Sequence, residues 1–162
     1  MNITFTQRGS LMIEDARITY KNFSGVGSMY NREGDKNFAL IIPDEETKDR
    51  LIEDVNEYGI GWNVKIKAPR DEQDDPFMYI NVKVKFNDFG PTVYLISGNK
   101  KRRLDKESVS MLDKIRIASV DMEIAPSDGK VQNKPYRAAY LRSMYVIQEM
   151  DQFSDKYAEY EE

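Results

Sequence analysis

Two stretches of this chain repeat one pattern, Asn63-Val64-Lys65-Ile66-Lys67 and Asn81-Val82-Lys83-Val84-Lys85. Apolar and polar residues alternate strictly in both. Successive strand side chains point to opposite faces, whereas a helix needs apolar residues three and four apart, so the pattern admits a half-buried strand and excludes a helix. In Tyr79 to Phe86 the even positions face inward. In Trp62 to Lys67 positions 62, 64 and 66 do, which assigns Trp62 to the core. Pairing of these strands would crowd Lys65, Lys67, Lys83 and Lys85 on one side of a sheet, with Tyr79 beside them. Like charges facing each other destabilise a sheet, and a polyanion laid across them would relieve the repulsion. A solvated face that discourages edge aggregation accounts for the same lysines.

The remaining periodicity is also strand-rich. Leu11 to Tyr20 reads as a strand with a phase break at Asp15-Ala16, and Phe38 to Ile42 as a buried strand. Between them, Lys21 to Asp35 holds glycines 25, 27 and 34. A loop of that length inside a compact domain is more often functional than not. Asp44 is suited to cap a helix whose Leu51, Ile52, Val55 and Tyr58 share a face and which Gly59 closes. Thr92 to Ile96 is a strand leading into a basic loop, Asn99 to Arg103, and a short helix from Asp105 buries Val109 and Leu112. Ile115 to Ile124 is a strand with a bulge near Ser119, Ser127-Asp128-Gly129 is a turn, and Pro135 to Ile147 is a long last strand. This order predicts a mainly β protein with short helices, a small β-barrel with one face left open.

Composition narrows the chemistry. The 162 residues suit one domain with a sizeable core. There is no cysteine and no histidine, which excludes disulfides, Ser-His and Cys-His nucleophile pairs and nearly all zinc sites. No metal or cofactor is expected. Neither an export signal at the start nor a membrane-spanning run is visible, so a soluble, cytoplasmic protein with no membrane partner is the expectation. The formal charge of −4 comes from one end: residues 149–162 carry six carboxylates against one lysine, and the rest has 23 basic and 22 acidic residues. Residues 1–148 therefore read as the folded domain. Residues 149–162 read as a disordered acidic tail whose Asp151, Phe153, Asp155, Tyr157, Glu159, Glu161 and Glu162 are suited to reach a cationic surface of the same chain or of a partner.

Eighteen aromatic residues stand among these charges (ten Tyr, seven Phe, one Trp). Phe23, Tyr30 and Phe38 flank or sit in the glycine-rich loop beside Arg32 and Lys36, while Tyr136 and Tyr140 share a strand face with Arg142, opposite Leu141, Tyr145 and Ile147. Every base has a π-face, so rings interleaved with cations suit single-stranded nucleic acid; core packing of the same rings is the alternative. Lys100, Lys101, Arg102 and Arg103 add a run that can steer phosphate or simply be solvated. Acidic residues argue less for chemistry. Asp71, Glu72, Asp74 and Asp75 lack the spacing of a calcium loop, and Asp121 with Glu123 lacks a third carboxylate for a metal-dependent nuclease.

The order of several motifs resembles single-stranded DNA-binding proteins encoded by tailed bacteriophages. They are Asn22-Phe23, Met29 to Phe38, Ile42-Pro43-Asp44-Glu45, Gly61-Trp62-Asn63-Val64, Pro69-Arg70-Asp71-Glu72, Val82-Lys83-Val84 and Ala139 to Val146. The resemblance implies an OB-like five-stranded β-barrel with extra strands that coats single strands in replication, recombination or repair in an infected host. It also implies an acidic terminus that contacts phage replication or recombination proteins and competes with DNA; Tyr160-Glu161-Glu162 departs from the apolar tip of bacterial relatives. Tyr30, Tyr79 and Tyr140 are the expected stacking platforms. Lys65, Lys67, Lys83 and Lys85 are expected to track phosphates, assisted by Arg32, Lys36, Arg142 and residues 100–103. A homodimer is compatible with the sequence. The rival readings are a metal-dependent phage nuclease or recombination enzyme built on Asp121 and Glu123, and a structural β-protein of the virion.

Overall fold

A computed structural model of the chain describes residues 1–150. In order, the elements are β1 (Asn2–Phe5), β2 (Leu11–Ala16), β3 (Ile18–Asn22), β4 (Lys36–Ile42), helix α1 (Glu45–Glu53), β5 (Lys65–Lys67) and β6 (Phe77–Val84). There follow β7 (Thr92–Ser97), β8 (Lys100–Leu104), a 3-10 helix (Ser108–Asp113), β9 (Ile117–Val131) and β10 (Lys134–Gln148). The alternation that predicts β6 holds: Met78, Ile80, Val82 and Val84 are buried, and the odd positions face out. The architecture is mainly β, as expected.

The last strand organises the sheet. It pairs antiparallel with β9 throughout, parallel with β6 at Ala139 and Tyr140, and parallel with β7 from Ser143 to Ile147. The register shifts between Leu141 and Ser143, so β10 changes partner at Arg142. From β6 the sheet continues to β4 and β3, and from β9 to β2 and β1. Among the described residues no ladder joins β3 to β1 or β2, so hydrogen bonds do not close the sheet. Yet β2 and β3 are one run of chain interrupted at Arg17, whose carbonyl accepts from the Ile41 amide at 3.0 Å. With residues 11–22 taken as a single bent strand, β2/β3, β4, β6, β10 and β9 wrap one core as a partly open five-stranded barrel. Asp15 and Tyr20, at φ 54° and 49°, carry the bends, and both coincide with register shifts. The phase break at Asp15-Ala16 is the first of them.

Several expectations are corrected. The capped helix exists, with the Asp44 carboxylate accepting from the Thr47 amide at 2.8 Å, but it ends at Glu53 and buries only Thr47 and Leu51. Ile52, Val55 and Tyr58 face solvent, because residues 54–62 double back so closely that a Cβ on Gly61 would overlap the Ile52 backbone. Only residues 65–67 of the Trp62–Lys67 run form a strand, and Ile66 is exposed on that three-residue edge. Trp62 is in the core as expected. The basic run is strand β8, paired with β7, and not a loop. Ser127 to Gly129 stays within β9, and the hairpin turns at Gln132-Asn133, both at positive φ. The bulge near Ser119 is present, between the Ile117 and Ser119 pairings. The 3-10 helix after Asp105 buries Val109 and Leu112 as expected.

Phe23 and Phe38, considered for the binding surface, are instead stacked inside the core with centroids 5.4 Å apart. A second internal tie was not foreseen. Buried Arg137 donates from Nε to Asp128 at 2.8 Å and from Nη1 to the Asp54 carbonyl at 2.7 Å, with its guanidinium 5.2 Å from the Trp62 ring centroid. It fastens the β9–β10 hairpin to the segment after α1, and the guanidinium's hydrogen bond holds the Asp128 carboxyl below its usual range.

Candidate nucleic-acid interface

Because β6 alternates, Phe77, Tyr79, Asn81 and Lys83 share its outer face, and the register decides their neighbours. Lys67 lies opposite Phe77 and Lys65 opposite Tyr79 across β5, while Asn37 and Tyr140 lie opposite Lys83 across β4 and β10. The two Asn-x-Lys-x-Lys motifs therefore do not sit side by side. The shift of register places the lysines of β5 against rings, and the four cations are spread along a face roughly 26 Å long from Phe77 to Lys85, at about 3.3 Å per residue. This arrangement avoids the direct lysine-on-lysine pairing expected from the sequence.

One end of the face is aromatic. The rings of Phe77 and Tyr79 are stacked 5.4 Å apart at 28°, and Tyr20 stands edge-on to both at 5.9 Å. Tyr20 reaches them because the left-handed bend at its own backbone turns it out of the β3 alternation. The other end is a cleft of about 810 Å³. Tyr20, Tyr30, Arg32, Lys36, Lys83, Lys85, Lys106 and Tyr140 line it, with asparagines 22, 31, 37 and 81 between them. Five cations thus face one carboxylate, Asp35. That carboxylate lies 3.6 Å from Arg32, both exposed, and exposed pairs bind weakly, so Arg32 remains available to an anion. The Lys83 ammonium stands 5.7 Å from the Tyr140 ring centroid.

The glycine-rich loop forms one wall, and it is built to hold its shape. Asn22 brackets Val26 through its side chain, Gly34 donates to the Gly25 carbonyl at 2.7 Å, and the Glu33 carboxylate accepts from the Gly27 amide at 2.6 Å. Asn31 donates to the carbonyls of Val26 and Asp35, and its own oxygen accepts from Asn37 on β4. Gly25 has φ 73° and abuts Gly34 so closely that a Cβ would be 3.0 Å from its carbonyl carbon, so neither room nor backbone conformation admits a larger residue. The base of the loop is tied to the 3-10 helix by Asp113, which accepts from the Phe23 and Ser24 amides. Beside it, Lys21 donates to the Leu112 and Ile115 carbonyls, and desolvation lowers its pKa from the usual value. The tip carries Met29 and Tyr30, the latter 93% exposed.

Of the residues expected at the interface, Tyr30, Arg32, Lys36, Lys83, Lys85 and Tyr140 line the cleft, and Lys65, Lys67 and Tyr79 extend its aromatic end. The structure separates the others. Lys100, Lys101, Arg102 and Arg103 lie on β8 beyond the change of partner in β10, and Arg142, at the bulge, lines a small recess with Arg8, Ser10 and Glu123. Tyr136 shares the outer side of β10 with Tyr140, as expected, but lies four residues further towards the hairpin turn, where it packs on Gly129 and does not line the cleft. Tyr145 is exposed rather than on the same side as buried Leu141, because the bulge reverses the alternation, and Met144 and Val146 fill the core instead. Sequence reasoning missed Tyr20, Phe77 and Lys106. Phe77 was legible, two residues before Tyr79 in the same alternation; Tyr20 depends on a backbone bend and Lys106 on a turn after β8.

Asp121 and Glu123, the residues of the rival nuclease reading, are each engaged locally. Asp121 accepts from the Asp15 amide at 2.8 Å and Glu123 from the Ser10 hydroxyl at 2.7 Å. Among the described residues no group of three acidic, histidine or cysteine side chains is placed to hold a metal ion. No helix among them is long and apolar enough to cross a membrane. Residues 151–162, including the expected tail contacts Asp151, Phe153, Asp155, Tyr157, Glu159, Glu161 and Glu162, lie outside the described residues.

A family model described as "Putative phage ssDNA-binding domain" matches residues 2–162. No curated protein matches the sequence. Among solved structures, the C-terminally truncated single-stranded DNA-binding protein from bacteriophage Enc34 is similar over 93% of this chain and 92% of its own, with a TM-score of 0.58 at 15% identity. The same phage protein in complex with ssDNA is similar over 94% and 93%, with a TM-score of 0.57 at 15% identity. A third structure of the Enc34 protein is similar over 96% and 94%, with a TM-score of 0.57 at 13% identity. At such identity the likeness is one of fold.

Proposed function

This chain belongs to the phage ssDNA-binding domain family, and from that premise we propose that it binds single-stranded DNA, without reading sequence, along the outer face of β6. The observation that carries the reading is the cleft in which five cations meet one carboxylate, continuous through Tyr20 with the Phe77–Tyr79 stack. Cations release the counterions of a polyanion, and rings accept any base that unstacks onto them. Tyr30, Tyr79 and Tyr140 act as platforms. Lys36, Lys65, Lys67, Lys83, Lys85 and Arg32 track phosphates, and Lys106 joins them. Residues 1–148 are the binding domain, and residues 149–162 are an acidic terminus that competes with DNA and meets phage replication or recombination proteins.

The reading is non-catalytic and places the protein in the cytoplasm of an infected bacterium. The engagement of Asp121 and Glu123 by the Asp15 backbone and Ser10 favours binding over a nuclease. Fluorescence anisotropy of labelled oligo-dT, against a duplex of the same length, tests it. Tight, salt-sensitive binding of the single strand is expected, with no cleavage in magnesium or manganese. Equal affinity for the duplex, or cleavage lost in Asp121→Ala, would refute it.

A further inference from the structure

The cleft does not contain all of the surface that combines rings with cations. On the β7–β8 face, Tyr94 and Tyr145 are stacked with centroids 5.2 Å apart at 20°. The Lys101 ammonium lies 4.3 Å from the Tyr94 centroid and 5.5 Å from that of Tyr145. Arg103 lies directly opposite Tyr94, on the same outer side. Among the described residues no carboxylate forms an ion pair with Lys101 or Arg103. The two cations stand two residues apart on one strand, where like charges repel.

This second surface is joined to the first. Tyr140 of the cleft and Tyr145 of the second face belong to the same strand, five residues or about 17 Å apart, and on the same edge of β10, which passes from β6 to β7 between them. The connection from β6 to β7 bridges the interval. It begins with Lys85 and Phe86 of the cleft wall and carries Phe89, which is 99% exposed. On the far side the face is bounded by Asp121, opposite Tyr145. Its carboxylate is turned to the Asp15 amide.

Resting on the proposed function, we infer that the single strand leaves the cleft at Lys85, passes Phe89 and continues over the Tyr94–Tyr145 stack, with Lys101 and Arg103 contacting its phosphates. The protein thus has two consecutive subsites on one path. A solvated edge would need the cations of β8 but not a pair of stacked rings beneath them, and Phe89, exposed between the two surfaces, offers a further ring to an unstacked base. Charge complementarity selects a polyanion, and the rings select one with unstacked bases. An acidic peptide segment is the alternative occupant.

The test compares oligo-dT of about 8 nucleotides, within the range of roughly 4–16 for one OB fold, and of about 24, beyond it, on the full chain and on the double variant Lys101→Glu/Arg103→Glu. The expected result is unchanged affinity for the short strand and a loss on the order of 10-fold for the long one, with a shallower salt dependence for the long strand only. Phe89→Ala, which removes no packing, should weaken the long strand alone. Equal losses at both lengths, or no loss at either, would overturn the two-subsite path. Tighter binding of the long strand by the charge-reversed chain would assign the face to an acidic peptide. Failure of the parent chain to bind either length would instead sink the proposed function itself.

Discussion

Replacing Lys83 and Lys85 by glutamine should flatten the salt dependence of DNA binding by an amount the cleft defines. Both lysines are exposed on the outer face or just beyond its end, so neither change opens a cavity. Each phosphate neutralised on a single strand contributes about −0.7 to the slope of log affinity against log salt, so the five cations of the cleft give a slope near −3.5. The parent chain should then lose roughly 130-fold in affinity between about 50 and 200 mM salt, and the double variant only about 18-fold. Anisotropy titrations with a short oligo-dT, confined to the cleft, measure both slopes. Trp62 is a poor reporter because it is 2% exposed, in the core. An unaltered slope, with affinity reduced by the same factor at every salt concentration, would show that these lysines shape the protein rather than touch phosphate.

Tyr30→Ala should weaken binding by about 1–3 kcal/mol, the worth of one stacked base, without shifting the melting temperature, since the ring touches no core. A fall in both would place the tyrosine in the fold instead. Asp128→Asn should destabilise the protein by about 2 kcal/mol near neutral pH, because it leaves the buried Arg137 guanidinium with a poorer acceptor. The hydrogen bond from Arg137 lowers the Asp128 pKa below 3.8 in the folded state, so this stabilisation is complete above the unfolded value and lost as pH falls through the folded one. Denaturation at pH 7 and in acid should show the gap between parent and variant closing; a gap that persists in strong acid contradicts the linkage. A chain ending at Gln148 should bind oligo-dT more tightly at low salt, and identical affinity and slope would dismiss competition by the acidic terminus.

The alternation from Tyr79 to Val84, the apolar run of β4, the Asp44 cap and the phase break at Asp15-Ala16 were all legible in one dimension, because each depends on neighbours within a few residues. So were most members of the cleft, since Tyr30, Arg32, Lys36, Lys83, Lys85 and Tyr140 announce themselves by type beside a loop or on an outward strand face. The errors share a cause. The β8 run looked like a loop because its lysines and arginines are poor strand formers in isolation, and only pairing with β7 makes them one. The helix looked longer than it is because Ile52, Val55 and Tyr58 keep the helical period, yet the chain reverses at Gly61.

Local chemistry therefore determined that this chain makes a cation-bearing, ring-bearing β-sheet without histidine or cysteine chemistry. Which cations share a surface was decided by register, since a strand offset of a few residues sets Lys65 against Tyr79 rather than Lys83. Which rings are available was decided by packing: Phe23 and Phe38 went to the core, and a left-handed bend brought Tyr20 out of it. The partner exchange at Arg142 then divided one expected groove into two surfaces along β10. Contacts between residues far apart in the chain carry that information, and no periodicity within a strand records it.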